Sequence, residues 1–228
     1  MKLTLISLLL GSLTVIALLG CGSSLYVNSS YPFADIQEPT FALFPALHPE
    51  GAAVIDTIFE DIFGDLTTHY QIISPSEIRS AAQSSREYSA LLTKLATSDV
   101  QSQSLQILLT AKELSSLRKL FPGTRFLYVP AQFSLKEATP GTALGKVTFR
   151  LYDIETGALV LEDSDSFNVM PNGTLRSGGL ISAMGVGTTL DPSTSSAARF
   201  CVAIVANHGK KSLQTNFLAK TKTSGSTK

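Results

Sequence analysis

The sequence predicts an α+β fold: a single domain in which amphipathic helices pack on a mixed β-sheet. Three observations carry this. Residues 50–68 repeat apolar side chains at helical spacing (Val54, Ile55, Ile58, Phe59, Ile62, Phe63, Leu66), the stripe of a helix that buries one face. Residues 146–152 alternate instead, with Val147, Phe149 and Leu151 on one side, the period of a half-buried strand. Two apolar runs, 40–46 and 70–74, stand 23 residues apart, far enough for a crossover between parallel strands. Composition agrees with a folded domain: 228 residues are 44% hydrophobic and 16% charged, with 18 basic and 18 acidic side chains. That excludes a disordered chain and a strongly basic nucleic-acid binder.

At the N-terminus, Met1-Lys2 is a short positive start and residues 3–19 are mostly apolar, ending in Leu18-Leu19-Gly20-Cys21. A positive start, an apolar run and a small residue before the cut describe a signal peptide over residues 1–20. The cysteine directly after Gly20 resembles the lipobox of bacterial lipoproteins. The resemblance implies cleavage before Cys21 and acylation of its thiol and amine. Cys21 is then the lipidation site and the membrane its partner, since several acyl chains hold far more firmly than one. Gly22 at the second mature position implies, by the same resemblance, the outer membrane, with the domain facing the periplasm. Residues 21–39 are rich in Ser, Asn and Pro and read as a flexible tether.

The domain is expected over residues 40–219. Residues 40–46 read as a first strand, 50–68 as a helix ending at His69, and 70–74 as a second strand. Three capping boxes follow: Ser74 with Glu77, Ser84 with Glu87, and Thr110 with Glu113. In each, a hydroxyl and a carboxylate three residues on satisfy orphan donors at a helix start. Tyr88, Leu91, Leu92 and Leu95 form one stripe, and Leu114, Leu117, Leu120 and Phe121 another, stopped by Pro122-Gly123. Residues 125–135 read as a strand in which Pro130 marks an edge position or a bulge. Residues 146–152 and 158–162 form a hairpin about the turn 153–157, with Gly157 free to take positive φ. Residues 167–170 are expected to extend the second of these strands, and 171–173 form another turn. The Gly-rich stretch 174–192 has no reading. Residues 195–213 suit a helix capped by Ser195 or Ser196, although 202–205 would serve equally as a strand. Residues 220–228 are expected to be disordered.

The order strand, amphipathic helix, strand, helices and hairpin over residues 40–168, with Asp153-Ile154-Glu155-Thr156-Gly157 as the best local match, resembles a periplasmic αβ domain. That domain is shared by the curli-secretion lipoprotein, the N-terminal part of the translocation protein TolB and LpoB-type synthase activators. These motifs are structural. The two long hairpins with which the curli protein builds its barrel have no counterpart here, which argues against a pore.

Chemistry-bearing motifs fail one by one. His48, His69 and His208 are not paired at zinc-ligand spacing and read as surface or helix-end residues. Residues 141–147 lack the glycine spacing and hydroxyl of a phosphate loop. Residues 163–168 put Phe167 and Asn168 where a calcium loop needs a ligand and a glycine, and read as a solvated acidic strand end. Cys201 lies in an apolar run and reads as a buried hydrophobe. No enzyme, metal or cofactor is expected. Charge is unevenly spread: residues 21–78 hold eight acids and no base, residues 192–228 six bases and no acid. The two ends are either solvated faces or meet, within the chain or between copies. The resulting expectation is a non-enzymatic binding or assembly lipoprotein of the cell envelope, with an envelope protein partner or self-association and no nucleic acid. An oligomeric secretion or transport component is the alternative, and an envelope hydrolase stands behind both.

Overall fold

The computed structural model describes residues 23–99, 104–137, 140–170, 175–177 and 188–223. Its strands are β1 (Ser24–Val27), β2 (Phe41–Leu43), β3 (Ile72–Ile73), β4 (Phe126–Glu137), β5 (Ala143–Asp153), β6 (Leu159–Val169) and β7 (Leu175–Ser177). They form one sheet in the order β1-β6-β5-β4-β2-β3, with β7 also on β6. β2 runs parallel to β3 and β4, and the other pairs are antiparallel. The sheet is mixed, as expected. The helices are α1 (Ala52–Phe63), α2 (Pro75–Gln83), α3 (Arg86–Thr97), α4 (Leu105–Leu108), α5 (Ala111–Leu120), α6 (Ser196–Leu213) and α7 (Ala219–Thr223).

Because strand side chains alternate, the sheet buries both faces. One face carries Tyr128, Val147, Phe149 and Leu151 against Ile55, Phe59, Val202 and Val205 of α1 and α6. The other carries Leu127, Val129 and Tyr152 against Ile78, Leu95, Leu105 and Leu117 of α2 to α5. Tyr128 and Phe149 stack at 5.2 Å between centroids. Each such ring taken out of water contributes about 1.5–3 kcal/mol.

The first helix begins at Ala52, two residues after its expected start at residue 50. Gly51 holds φ at +65°, and a Cβ there would come within 2.6 Å of Asp191 and Pro192, so only glycine fits. Ile55, Phe59 and Phe63 are buried as the stripe requires, and Ile62 is half-buried on its flank. Asp56, which lies off the apolar stripe, is 3% exposed. The reason is a second helix: α2 lies against that flank and brings Arg79 Nε within 2.6 Å of Asp56 Oδ2. A 3₁₀ turn, Gly64–Thr68, finishes the helix at His69.

Two capping boxes close in both directions, at Ser74/Glu77 and Thr110/Glu113. The third does not form. Ser84 terminates α2 and donates its hydroxyl to the Ala81 carbonyl, α3 starts after Ser85, and Glu87 accepts from Ser116 instead. Pro130 marks a bulge, with a register shift between Ala131 and Ser134 and Gln132 at φ +53°. It is not on an edge strand, since β4 lies between β5 and β2. Tyr128 accepts from Phe44 N, so its backbone faces β2, and Pro130, two residues on, faces the same way. β2 has ended by then, so the missing N–H of Pro130 interrupts no ladder.

The expected tether at 21–39 is folded from Ser24 onward. β1 pairs with residues 161–164 of β6, and Tyr31 and Ile36 are buried at 7% and 3% exposure. Both side chains are large and apolar, and the Ser/Asn/Pro composition around them concealed that. Within 174–192, Leu175–Ser177 pairs with β6 and residues 188–190 run beside the end of β4. Residues 178–187 and the turn expected at 171–173 lie outside the described residues. The segment 195–213 is a helix, capped by Ser195 accepting from Ala198 N. It continues through a π-helical turn, Gln214–Leu218, into α7. That turn drives Phe217, fully buried, edge-on against Phe126 at 4.8 Å. The tail expected to be disordered from Lys220 is therefore helical to Thr223, with Lys220 Nζ 5.0 Å from the Phe33 ring centroid. Residues 224–228 lie outside the described residues.

Candidate functional site

Cys21, the predicted lipidation site, lies outside the described residues. In sequence, Gly22 and Ser23 alone separate it from β1. No helix among the described residues is long and apolar enough to cross a membrane.

The polar groups inside the domain were not legible as sites and prove to be cross-braces. On β6 the period of two turns Asp163 and Asp165 to the same side as α6. His208 meets them there, with Nε2 3.2 Å from Asp163 and Nδ1 3.8 Å from Asp165. The residues are neither a solvated strand end nor a helix end, as expected from sequence. His208 lies within an 18-residue helix and Asp163 is 7% exposed. Gly209 makes the approach possible, because a Cβ there would fall 2.5 Å from the Phe149 ring. Tyr128 also donates to the Gly209 carbonyl at 2.8 Å. The Asp163 carboxylate beside it raises the imidazole pKa above its ordinary value. Burial works against charge on Asp163, yet the neighbouring His208 and Ser212 outweigh it and hold the carboxyl below its ordinary range. A triad needs the base beside the nucleophile. Here the imidazole faces the carboxylates of Asp163 and Asp165, an arrangement that ties α6 to β6.

Two further braces hold the same sheet. Arg150, fully buried, donates from Nε to Glu162 at 2.7 Å and from Nη1 to the Ser98 carbonyl at 2.9 Å. Tyr31 donates to Asp153 Oδ2 at 2.6 Å, and Asp153 Oδ1 accepts from the backbone of Glu155 and Thr156. The Asp153–Gly157 turn is thus closed by its own aspartate, with Gly157 at φ +73°. Burial, then the neighbouring Asp153, pushes the Tyr31 hydroxyl pKa up. Cys201 is buried and its thiol is pushed up to about 12 by desolvation, so it stays an unreactive thiol. His48, expected at the surface, is buried with its ring nitrogens at the Glu50 and Leu135 carbonyls. No group of three or more His, Cys, Asp or Glu side chains placed to hold a metal ion occurs among the described residues.

An open groove of about 520 Å³ lies where the end of α1 meets the π-helical turn. Asp65, Thr68, His69, Tyr70, Gln214 and Leu218 line it. At its rim the acidic and basic ends of the chain touch, Lys210 Nζ standing 2.7 Å from Asp65. The groove offers a carboxylate, an amide, a hydroxyl and a ring, the makings of a polar binding surface.

No family model and no curated protein matches the chain significantly. Among solved structures it is similar to a PelC dodecamer from Paraburkholderia phytofirmans, at 15% identity and a TM-score of 0.39, covering 82% of this chain and 95% of that one. A point variant of the PelC dodecamer from the same organism gives 13% identity and a TM-score of 0.40, covering 82% and 96%. Neither fold nor role is taken from likenesses this slight.

Proposed function

We propose that this chain is a lipid-anchored protein of the bacterial cell envelope that works by binding or assembly rather than by catalysis. The observation that carries the reading is Leu18-Leu19-Gly20-Cys21 after an apolar run, with Cys21 as the acylated residue and the outer membrane as its site. The interior supports the non-catalytic part. Its buried Arg150 and Glu162 pair with each other and buried Asp163 pairs with the half-buried His208, and these contacts hold helices and strands in place. The groove beside Tyr70 and Gln214 gives a partner a polar surface to occupy.

The test is processing in cells. Labelled palmitate should enter the wild-type chain, and Cys21→Ser should accumulate as an unlabelled precursor because the acceptor thiol is gone. Normal maturation and membrane attachment of Cys21→Ser would refute the anchor.

A further inference from the structure

We propose that β1 is a membrane-docking edge, which holds the domain edge-on against the bilayer with Leu25 and Tyr26 in the headgroup layer. This rests on the lipid-anchor reading and adds to it the surface that meets the lipid.

The first ground is reach. Two residues, Gly22 and Ser23, stand between Cys21 and the start of the sheet. From Cys21 to Leu25 there are four Cα steps, which span at most about 14 Å fully extended. Acyl chains on Cys21 place that residue at the hydrocarbon boundary. Each headgroup layer is itself about 5–8 Å thick. A longer tether would let the domain stand off; this one brings β1 to the lipid.

The second ground is what β1 presents. Leu25 is 56% exposed and Tyr26 39%, two of the four exposed large apolar side chains among the described residues. Adjacent strand residues point to opposite sides, so both flanks of the strand are apolar. β1 has a strand neighbour on one side only, β6. Soluble edge strands are usually blunted by charge or proline. Here no charged residue occurs from Cys21 to Ala34, and the first proline is Pro32, beyond the strand. An edge with unpaired N–H and C=O groups cannot enter hydrocarbon. The hydrated headgroup layer satisfies those groups and accepts Leu25, while Tyr is a side chain favoured at that interface.

The protein contains no tryptophan, so a single Tyr26→Trp substitution in the lipidated chain is a clean reporter. Ile107→Trp is the control. Ile107 is 67% exposed on α4, which bonds through Leu105 N to Gly157, ahead of β6 and seven residues before Ser164, the partner of Ser24. Both variants would be reconstituted in phosphatidylethanolamine/phosphatidylglycerol vesicles containing brominated lipid, with labelled palmitate reporting acylation. Quenching at least about twofold stronger for Tyr26→Trp, with a blue-shifted emission, is the expected result. Equal, weak quenching of both variants on acylated chains overturns the docking and leaves the anchor intact. Blue-shifted but unquenched emission that depends on protein concentration also overturns it, with a second copy on the edge instead of lipid. Absence of label from Cys21 overturns the anchor reading, and the docking with it.

Discussion

His208 shows how a single side chain ties two layers together. Its raised pKa and the lowered pKa of Asp163 set opposite limits on one contact. For the histidine, stabilisation is complete below the unfolded value of about 6.5 and is lost as pH rises through the folded value. For the aspartate, stabilisation is present above about 3.9 and is lost as pH falls through the lower, folded value. Lys211, on the same helix, opposes the imidazolium, and Asp165 supports it. The stability difference between wild type and His208→Gln should therefore be greatest near pH 5–6 and shrink toward pH 9, by urea denaturation at each pH. A difference that does not vary over this range would mean that packing of the ring, not its charge, holds α6. Arg150 offers a second test at this scale. Glu162→Leu leaves the fully buried guanidinium without its carboxylate and should cost about 3–5 kcal/mol. Adding Arg150→Met should recover most of that loss in the same titration, because a buried ion pair is often replaceable by apolar side chains.

At the scale of elements, α1 separates what periodicity can say from what it cannot. Phe59→Ala should cost about 3–5 kcal/mol through the cavity it leaves. From the stripe alone Asp56→Ala is expected to be silent. With Arg79 paired to it at 2.6 Å, it should instead cost about 1.5–3 kcal/mol, the range for a hydrogen bond to a charged group. Urea midpoints of the two variants measure both, and a silent Asp56→Ala would show that solvent replaces the carboxylate freely. The helix and its core face are written in local spacing; its flank is written in α2, 23 residues away. The same holds for the hairpin. Asp153 and Gly157 announce their turn because the chemistry is local, and two capping boxes are legible for the same reason. The pairing of His208 with Asp163 joins positions 45 residues apart, which no local pattern encodes. Cys21 is readable as a site because its signal is a contiguous run.

For the whole molecule, the boundary of the folded unit is the feature in which composition misled most. A domain beginning at residue 40 discards β1, Tyr31 and Ile36. In the structure Tyr31 packs edge-on to Phe33 and Phe126 and its hydroxyl bonds the buried carboxylate of Asp153. Ile36 is 3% exposed. Burying two such side chains contributes about 1.5–3 kcal/mol each, and a bond to a carboxylate about as much again. A chain starting at Thr40 should therefore be less stable by at least about 4 kcal/mol than one starting at Gly22. That is a large share of the 5–15 kcal/mol that holds an ordinary domain together. It should also expose the outer edge of β6, which β1 covers from Leu161 to Ser164, and self-associate through it. Urea denaturation and light scattering on the two chains test both effects. Tyr31→Phe in the longer chain isolates the hydroxyl, since it keeps the ring and β1. It should lose only the part due to Asp153 and remain monomeric in the same assay. Equal stability of the two chains would mean that residues 22–39 lie on the domain without being part of it.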